Sequence, residues 1–118
     1  YQFFKKKLLS IKNEGINLQR IIVDPGIGFG KDDNHNFSIL KFLSIFLDLG
    51  APILIGLSRK AFIGRFLGNE KADRLSCSLI LGLDSYLKGA NILRVHDVKE
   101  TRSVIEVYKK INLNKNKK

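Results

Sequence analysis

Three short apolar runs, Ile21-Ile22-Val23, Ile53-Leu54-Ile55-Gly56-Leu57 and Ile92-Leu93-Arg94-Val95, punctuate the chain, and each ends on polar or charged residues. Aliphatic, β-branched runs of this length, bounded by turn-forming residues, predict strands. Elsewhere the apolar positions fall at helical spacing. That spacing predicts a helix over residues 3–11, after which the chain stops at Gly15, and a second over 37–49, opened by Asn36 and closed by Gly50, with Pro52 starting the next strand. A short helix follows from 61 to about 67, a longer one from about 72 to 88 with Gly89 as its stop, and a last one from 98 to about 111. Asp97 and Glu100, three residues apart, read as the N-cap and partner of an acidic capping box for that last helix. A strand and a helix recurring about every thirty to forty residues form the unit of a parallel α/β fold, which brings the three strand ends to one edge.

The residues arriving at that edge carry chemistry. The first run passes into Asp24-Pro25-Gly26-Ile27-Gly28-Phe29-Gly30-Lys31, a carboxylate delivered to a tight loop with exposed backbone. The second passes into Ser58-Arg59-Lys60 and the third into His96-Asp97. Side chains two apart on a strand share a face. Arg94 and His96 therefore point one way, and Leu93 and Val95 the other, toward covering helices; likewise Ile22 goes with Asp24, and Leu54 with Gly56 and Ser58. Strands of a parallel α/β fold do not normally place Arg and His at such positions, so the edge reads as a substrate site. The competing reading is a solvated strand end with a salt-bridge partner. Nucleotide motifs fail on spacing: Gly26, Gly28 and Gly30 run G-x-G-x-G, are expected to lead into the polar run Lys31-Asp32-Asp33-Asn34 rather than a helix, and no Ser or Thr follows Lys31.

At 118 residues with no Met and with Tyr1 first, the chain is one domain at most and is expected to be a piece of something longer, its native start absent. The net charge of +10 invites a nucleic-acid partner. Six of those charges, however, are Lys5, Lys6, Lys7, Lys115, Lys117 and Lys118, and without them only +4 remains. Residues 1–111 read as the folded part and 112–118 as a Lys/Asn-rich disordered tail, with neither nucleic acid nor membrane expected as a partner. A single cysteine, Cys77, rules out an internal disulfide; set among Leu75, Leu79 and Leu83 it reads as a buried, inert thiol. No apolar run approaches a membrane span and no signal peptide is visible, so a cytoplasmic location is expected.

Taken together, the three endings resemble the dihydropteroate synthase family. The matching segments are Asp24-Pro-Gly-Ile-Gly-Phe-Gly-Lys31, Gly56-Leu-Ser-Arg-Lys60 with Phe62-Ile-Gly64, Gly89-Ala90 and Arg94-Val-His-Asp-Val-Lys-Glu-Thr101, in the family's order between about 18 and 101. The resemblance implies an α/β chain that supplies the C-terminal three strand–helix units of a (β/α)8 TIM barrel, incomplete here because a closed barrel takes about 250 residues. It implies a transferase of folate biosynthesis that condenses a dihydropterin methyl diphosphate with p-aminobenzoate, releasing diphosphate. By resemblance Asp24 accepts N–H donors from the pterin edge, Lys60 bonds the ring's acceptors and Gly56 leaves room for the ring. Arg94 and His96, just before the last helix, suit the diphosphate, and Phe29 resembles the aromatic that walls the aminobenzoate pocket. No nucleophilic side chain is expected, since catalysis of this kind is stabilisation of a departing anion.

The resemblance also implies a homodimer, and the segment 37–49 has more apolar positions than one sheet-facing stripe uses. It implies magnesium, held by an Asn outside this chain, and further pterin ligands and two closing loops that are likewise outside it. One departure stands out: Ala61 follows Lys60 where the family commonly carries a Ser for the aminobenzoate carboxylate. Two other readings remain: another pterin-binding barrel, such as a methyltetrahydrofolate:corrinoid methyltransferase, or a basic nucleic-acid-binding module.

Overall fold

The computed structural model describes residues 1–30, 32–69 and 73–112. Helix α1 spans Gln2–Asn13, and a 3-10 turn at Leu18–Arg20, capped by the Asn17 side chain, leads into the first apolar run. That run makes one parallel bridge rather than a full strand: Val23 N–H donates to the Pro52 carbonyl and Leu54 N–H to the Val23 carbonyl, both at 2.8 Å. Strands β1 (Leu54–Ile55) and β2 (Ile92–Leu93) pair in parallel, Leu54 beside Ile92 and Ile55 beside Leu93. Three parallel segments thus run side by side in the order Val23, β1, β2, and their C-terminal ends share an edge as the sequence predicts.

The alternation along these segments decides which face is covered. Val23, Ile53, Ile55 and Leu57 are buried with Leu40, Leu43, Phe62 and Ile63 beneath the helices. Each fully buried aliphatic side chain of this kind contributes about 1.5–3 kcal/mol. On the opposite face Ile22 is 52% exposed and Ile92 37%. The molecule is accordingly a slab of 47 × 45 × 21 Å, with one sheet face open.

Between the first two strand segments the chain differs from its predicted helix. Helix α2 spans Asp33–Lys41 and is capped by Asp32, whose Oδ1 accepts from His35 N–H at 2.8 Å; the opening by Asn36 is therefore corrected, and so is the expectation that the glycine loop leads into no helix. Both residues are good caps, but Asp32 adds a negative charge at the positive end of the helix. Asn36 lies one turn inside and fully buried. After Lys41 the helix tightens into a 3-10 stretch, Leu43–Leu49, which ends at Gly50 in the left-handed region (φ 76°), a conformation glycine adopts without steric cost. Leu40, Leu43, Phe46 and Leu49 are buried there, with Phe46 against Phe4 of α1 at 5.8 Å between ring centroids, whereas Phe42, Ile45 and Leu47 stay exposed.

Helix α3 (Ala61–Phe66) docks on α2: Phe62 and Phe66 meet the Phe37 ring at 5.3 and 5.2 Å, and Arg65 grips both Asp33 oxygens at 2.9 and 2.8 Å. Helix α4 runs Leu75–Leu87; its expected start at Ala72 lies outside the described residues. Its buried stripe is Ser78, Gly82 and Ser85. Small side chains let this helix approach the sheet, and the two hydroxyls donate to the carbonyls of Arg74 (2.6 Å) and Leu81 (2.8 Å). Cys77 sits at the edge of that stripe, half-buried rather than buried. Helix α5 (Val98–Asn112) packs on α4 and takes in Asn112, which the sequence places in the tail; residues 113–118 lie outside the described part.

Candidate functional site

Parallel pairing carries Asp24, Gly56 and Arg94 to the same sheet edge, where Arg94 Nη1 lies 3.2 Å from Asp24 Oδ2 across 70 residues of sequence. Asp24 also closes its own loop, Oδ1 accepting from Gly26 N–H at 2.8 Å. The guanidinium crosses directly over Gly56, and a Cβ there would overlap it. Glycine at 56 therefore makes room for Arg94. The strand-end salt bridge considered from sequence is present, and it joins two of the residues assigned to the site.

Lys60 reaches back over the glycine loop. Its Nζ donates to the Ile27 carbonyl and lies 4.2 Å from the centroid of the Phe29 ring, itself 64% exposed. Its stem passes so near Gly28 (φ 85°) that a Cβ there would come within 2.7 Å of Lys60 Cδ, and the positive φ independently disfavours a side chain. Asn36 holds this loop from below, its buried Oδ1 accepting from Gly28 N–H at 2.9 Å. Asn36→Ala would leave that N–H without its acceptor, and a loss of about 1–3 kcal/mol is expected, read as a lowered unfolding midpoint of the assembled protein.

His96 is tethered by Ser58, whose Oγ accepts from His96 N–H at 3.2 Å and lies 3.0 Å from Nδ1. The next residues along both loops also pair: Arg59 Nε donates to Asp97 Oδ2 at 3.0 Å and its Nη2 to Oδ1. Asp97 stands at the N-cap position of α5 as the sequence predicts, its carbonyl accepting from Thr101 N–H at 2.9 Å, and its carboxylate is engaged by Arg59 across 38 residues. Hydrogen bonding from Arg59 holds the Asp97 carboxyl below its ordinary 3.8, and the same bonds push Arg59 further up. A carboxyl depressed in the folded state contributes stability above its unfolded value and loses it as pH falls through the folded one. The pair is expected to stay closed at neutral pH and to open only below about pH 3.8, which the Arg59 Nε–H resonance would report.

Gly56, Ser58, Lys60, Arg94, Val95 and His96 line a cleft of about 150 Å³. Larger hollows, about 640 Å³ along α5 and about 200 Å³ beside α1, are lined by none of these residues.

A family model described as pterin binding enzyme matches residues 1–96. The chain belongs to the pterin binding enzyme family. It is 40% identical over 106 residues to dihydropteroate synthase of Escherichia coli K12, covering 90% of this chain and 38% of that protein. It is 44% identical over 110 residues to the bifunctional dihydropteroate synthase/dihydropteroate reductase of Helicobacter pylori, covering 93% of this chain and 28% of that one. Dihydropteroate synthase from Xanthomonas albilineans in complex with 7,8-dihydropteroate superimposes with a TM-score of 0.85 at 34% identity, and the Stenotrophomonas maltophilia enzyme with bound imidazole at 0.87 and 33%, each covering 93% of this chain and 42% of the other. The chain spans well under half the length of these relatives, which are TIM-barrel enzymes; it is itself α/β with parallel strands.

In this chain Asp24, Gly56, Lys60, Arg94, His96 and Phe29 all lie at the sheet edge or in its loops, while Lys31, which ends the first motif, lies outside the described residues. Asn36, Ser58, Arg59, Ser78 and Asp97 also brace the site, and sequence reasoning missed these contacts. Among the described residues no group of three or more His, Cys, Asp or Glu side chains converges. No described helix is long and apolar enough to cross a membrane.

Proposed function

We propose that the chain forms the last three strand–helix units of a (β/α)8 barrel and carries part of the active site of a dihydropteroate synthase. The reaction on this reading joins a (7,8-dihydropterin-6-yl)methyl diphosphate to p-aminobenzoate and releases diphosphate. The observation that carries it is the meeting of Asp24, Lys60, Arg94 and His96 at the C-terminal ends of parallel strands, where barrel active sites gather, in a chain so similar to named dihydropteroate synthases.

The roles follow from charge and donor pattern. Asp24 accepts from the guanidine-like edge of the pterin, and Lys60 donates to its ring acceptors. Both already have partners within the chain, Arg94 for Asp24 and the Ile27 carbonyl and Phe29 ring for Lys60, so the ligand exchanges contacts rather than meeting bare charges. The exchange is inexpensive: the Asp24 and Arg94 side chains are 34% and 53% exposed, and such pairs are worth about 0–1 kcal/mol. Arg94, released from Asp24, and His96 then stabilise the departing diphosphate, and Phe29 walls the aminobenzoate side. Losing the usual Ser at Ala61 removes a neutral hydrogen bond of about 0.5–1.5 kcal/mol, up to about tenfold in aminobenzoate affinity.

Magnesium and the remaining pterin ligands, on this reading, come from outside these residues. The intact enzyme is proposed to be cytoplasmic and a homodimer, with Phe42, Ile45 and Leu47 contributing to the two-fold interface. Its partners are the two small-molecule substrates, with no nucleic acid and no membrane.

The test is calorimetric titration of the dihydropterin diphosphate into a chimera in which this chain replaces the matched 106 residues of the Escherichia coli relative. Saturable binding is expected. Gly56→Val, which pushes the Arg94 guanidinium aside, is expected to weaken it by about five- to more than a hundredfold, as overpacking by added methyl groups costs about 1–3 kcal/mol. A folded chimera that ignores the ligand would exclude the reading.

A further inference from the structure

Among the described residues Arg59 is the one residue other than glycine with a positive φ, at 56°. For a long side chain this left-handed conformation is sparsely populated and persists only where the surroundings over-determine it. Arg59 is determined from three sides. Its N–H donates to Ser78 Oγ at 2.9 Å, its carbonyl accepts from Arg74 Nη1 at 3.0 Å, and its guanidinium engages both Asp97 oxygens. Ser78 is buried and in turn donates to the Arg74 carbonyl, so α4 presents a fixed seat for the 58–60 backbone.

The sequence neighbours of this ion pair are what give it consequence. Lys60 follows Arg59, and His96 precedes Asp97. The 58–60 loop and the 96–97 loop are therefore joined by two successive rungs, Ser58 to His96 and Arg59 to Asp97, across adjacent parallel strands. A planar fork on a carboxylate fixes orientation as well as distance, which a lysine does not. The Asp97 side chain is only 11% exposed, against 52% for Arg59, so the contact is sheltered on the side of the carboxylate.

We propose that Arg59 is a positioning residue: through its bidentate contact with Asp97 it sets the separation and orientation of Lys60 and His96, and so aligns the pterin end of the site with its anion end. This rests on the dihydropteroate synthase reading for the ligands named, but the coupling between the two loops does not.

The experiment uses the same chimera with Arg59→Gln, Asp97→Asn, Arg59→Lys and the double variant of the first two. Each single variant is expected to lower kcat by about tenfold while changing the affinity for a dihydropterin without phosphates by less than about twofold, because alignment rather than ring binding is lost. Arg59→Lys is expected to restore only part of the rate, and the double variant to be no worse than either single one, since both remove one contact. The ring-nitrogen and amide resonances of His96 are expected to shift in both single variants without any ligand present. If Arg59→Gln does not fold, Asp97→Asn breaks the same contact from the other side. Unmoved His96 resonances together with unchanged kcat, or losses confined to the melting temperature, would overturn the proposal. Absence of turnover in the unmutated chimera would count against the synthase reading alone, and the ligand-free His96 spectra would still decide the role of Arg59.

Discussion

Expressed by itself, the 118-residue chain is expected to form no dihydropteroate. Two consequences of the fold point the same way. The sheet has an edge at Val23 and another at β2, and Ile22 and Ile92 face outward from its uncovered side. Unpaired strand edges beside exposed aliphatic side chains promote self-association, and barrel strands lose their edges only on closure. Soluble material is expected to melt without cooperativity or to run larger than a monomer. The chain also corresponds to 38% of the Escherichia coli relative, and on the proposed reading the other pterin ligands lie in the remainder. Keeping the fragment soluble is therefore not expected to restore activity, whereas co-expression with the remainder of a relative is. Product formation from the dihydropterin diphosphate and p-aminobenzoate by the purified chain alone would contradict the assignment of residues.

Arg94→Ala, in the chimera, is expected to separate the two ends of the substrate. A charge-assisted hydrogen bond contributes about 1.5–3 kcal/mol, so affinity for the diphosphate ester is expected to fall by about ten- to more than a hundredfold. Affinity for a dihydropterin without phosphates has no such contact to lose. Its recognition is even relieved of a competitor, because Arg94 is paired with Asp24. That partially exposed pair is worth only about 0–1 kcal/mol, so the gain is small beside the loss. Calorimetric titration of both ligands distinguishes them, and equal losses would show that Arg94 does not serve the anion.

The convergence of the strand ends was legible in the sequence because strand period and apolar runs are local properties. Asp24, Lys60, Arg94 and His96 each follow or end an apolar run, and parallel pairing does the rest. Helix stops at Gly50 and Gly89 were legible for the same reason. What joins the loops was not. Arg59 and Asp97 are 38 residues apart, as are Ser58 and His96, and the N-cap position that Asp97 does hold says nothing of the long-range partner of its carboxylate. The start of α2 was ambiguous because Asp32 and Asn36 are both cap residues; which one caps depends on Asn36 being drawn inward to Gly28. Gly56 was legible as a close approach but not its occupant, since the side chain that crosses it comes from a strand 38 residues on. The small-residue stripe of α4, Ser78, Gly82 and Ser85, was hidden by the leucines around it, because periodicity marks apolar faces and this helix packs through its small one.

The most direct measurement is turnover by the chimera carrying this chain in place of the matched segment of the Escherichia coli relative, followed as dihydropteroate formed from the dihydropterin diphosphate and p-aminobenzoate. Turnover that disappears with Asp24→Asn and Lys60→Met, each of which removes a charge from the pterin end of the site, is the expected result. A chimera that melts cooperatively and yet forms no dihydropteroate, or one whose rate is indifferent to both substitutions, would contradict the claim that these strand ends carry the pterin site.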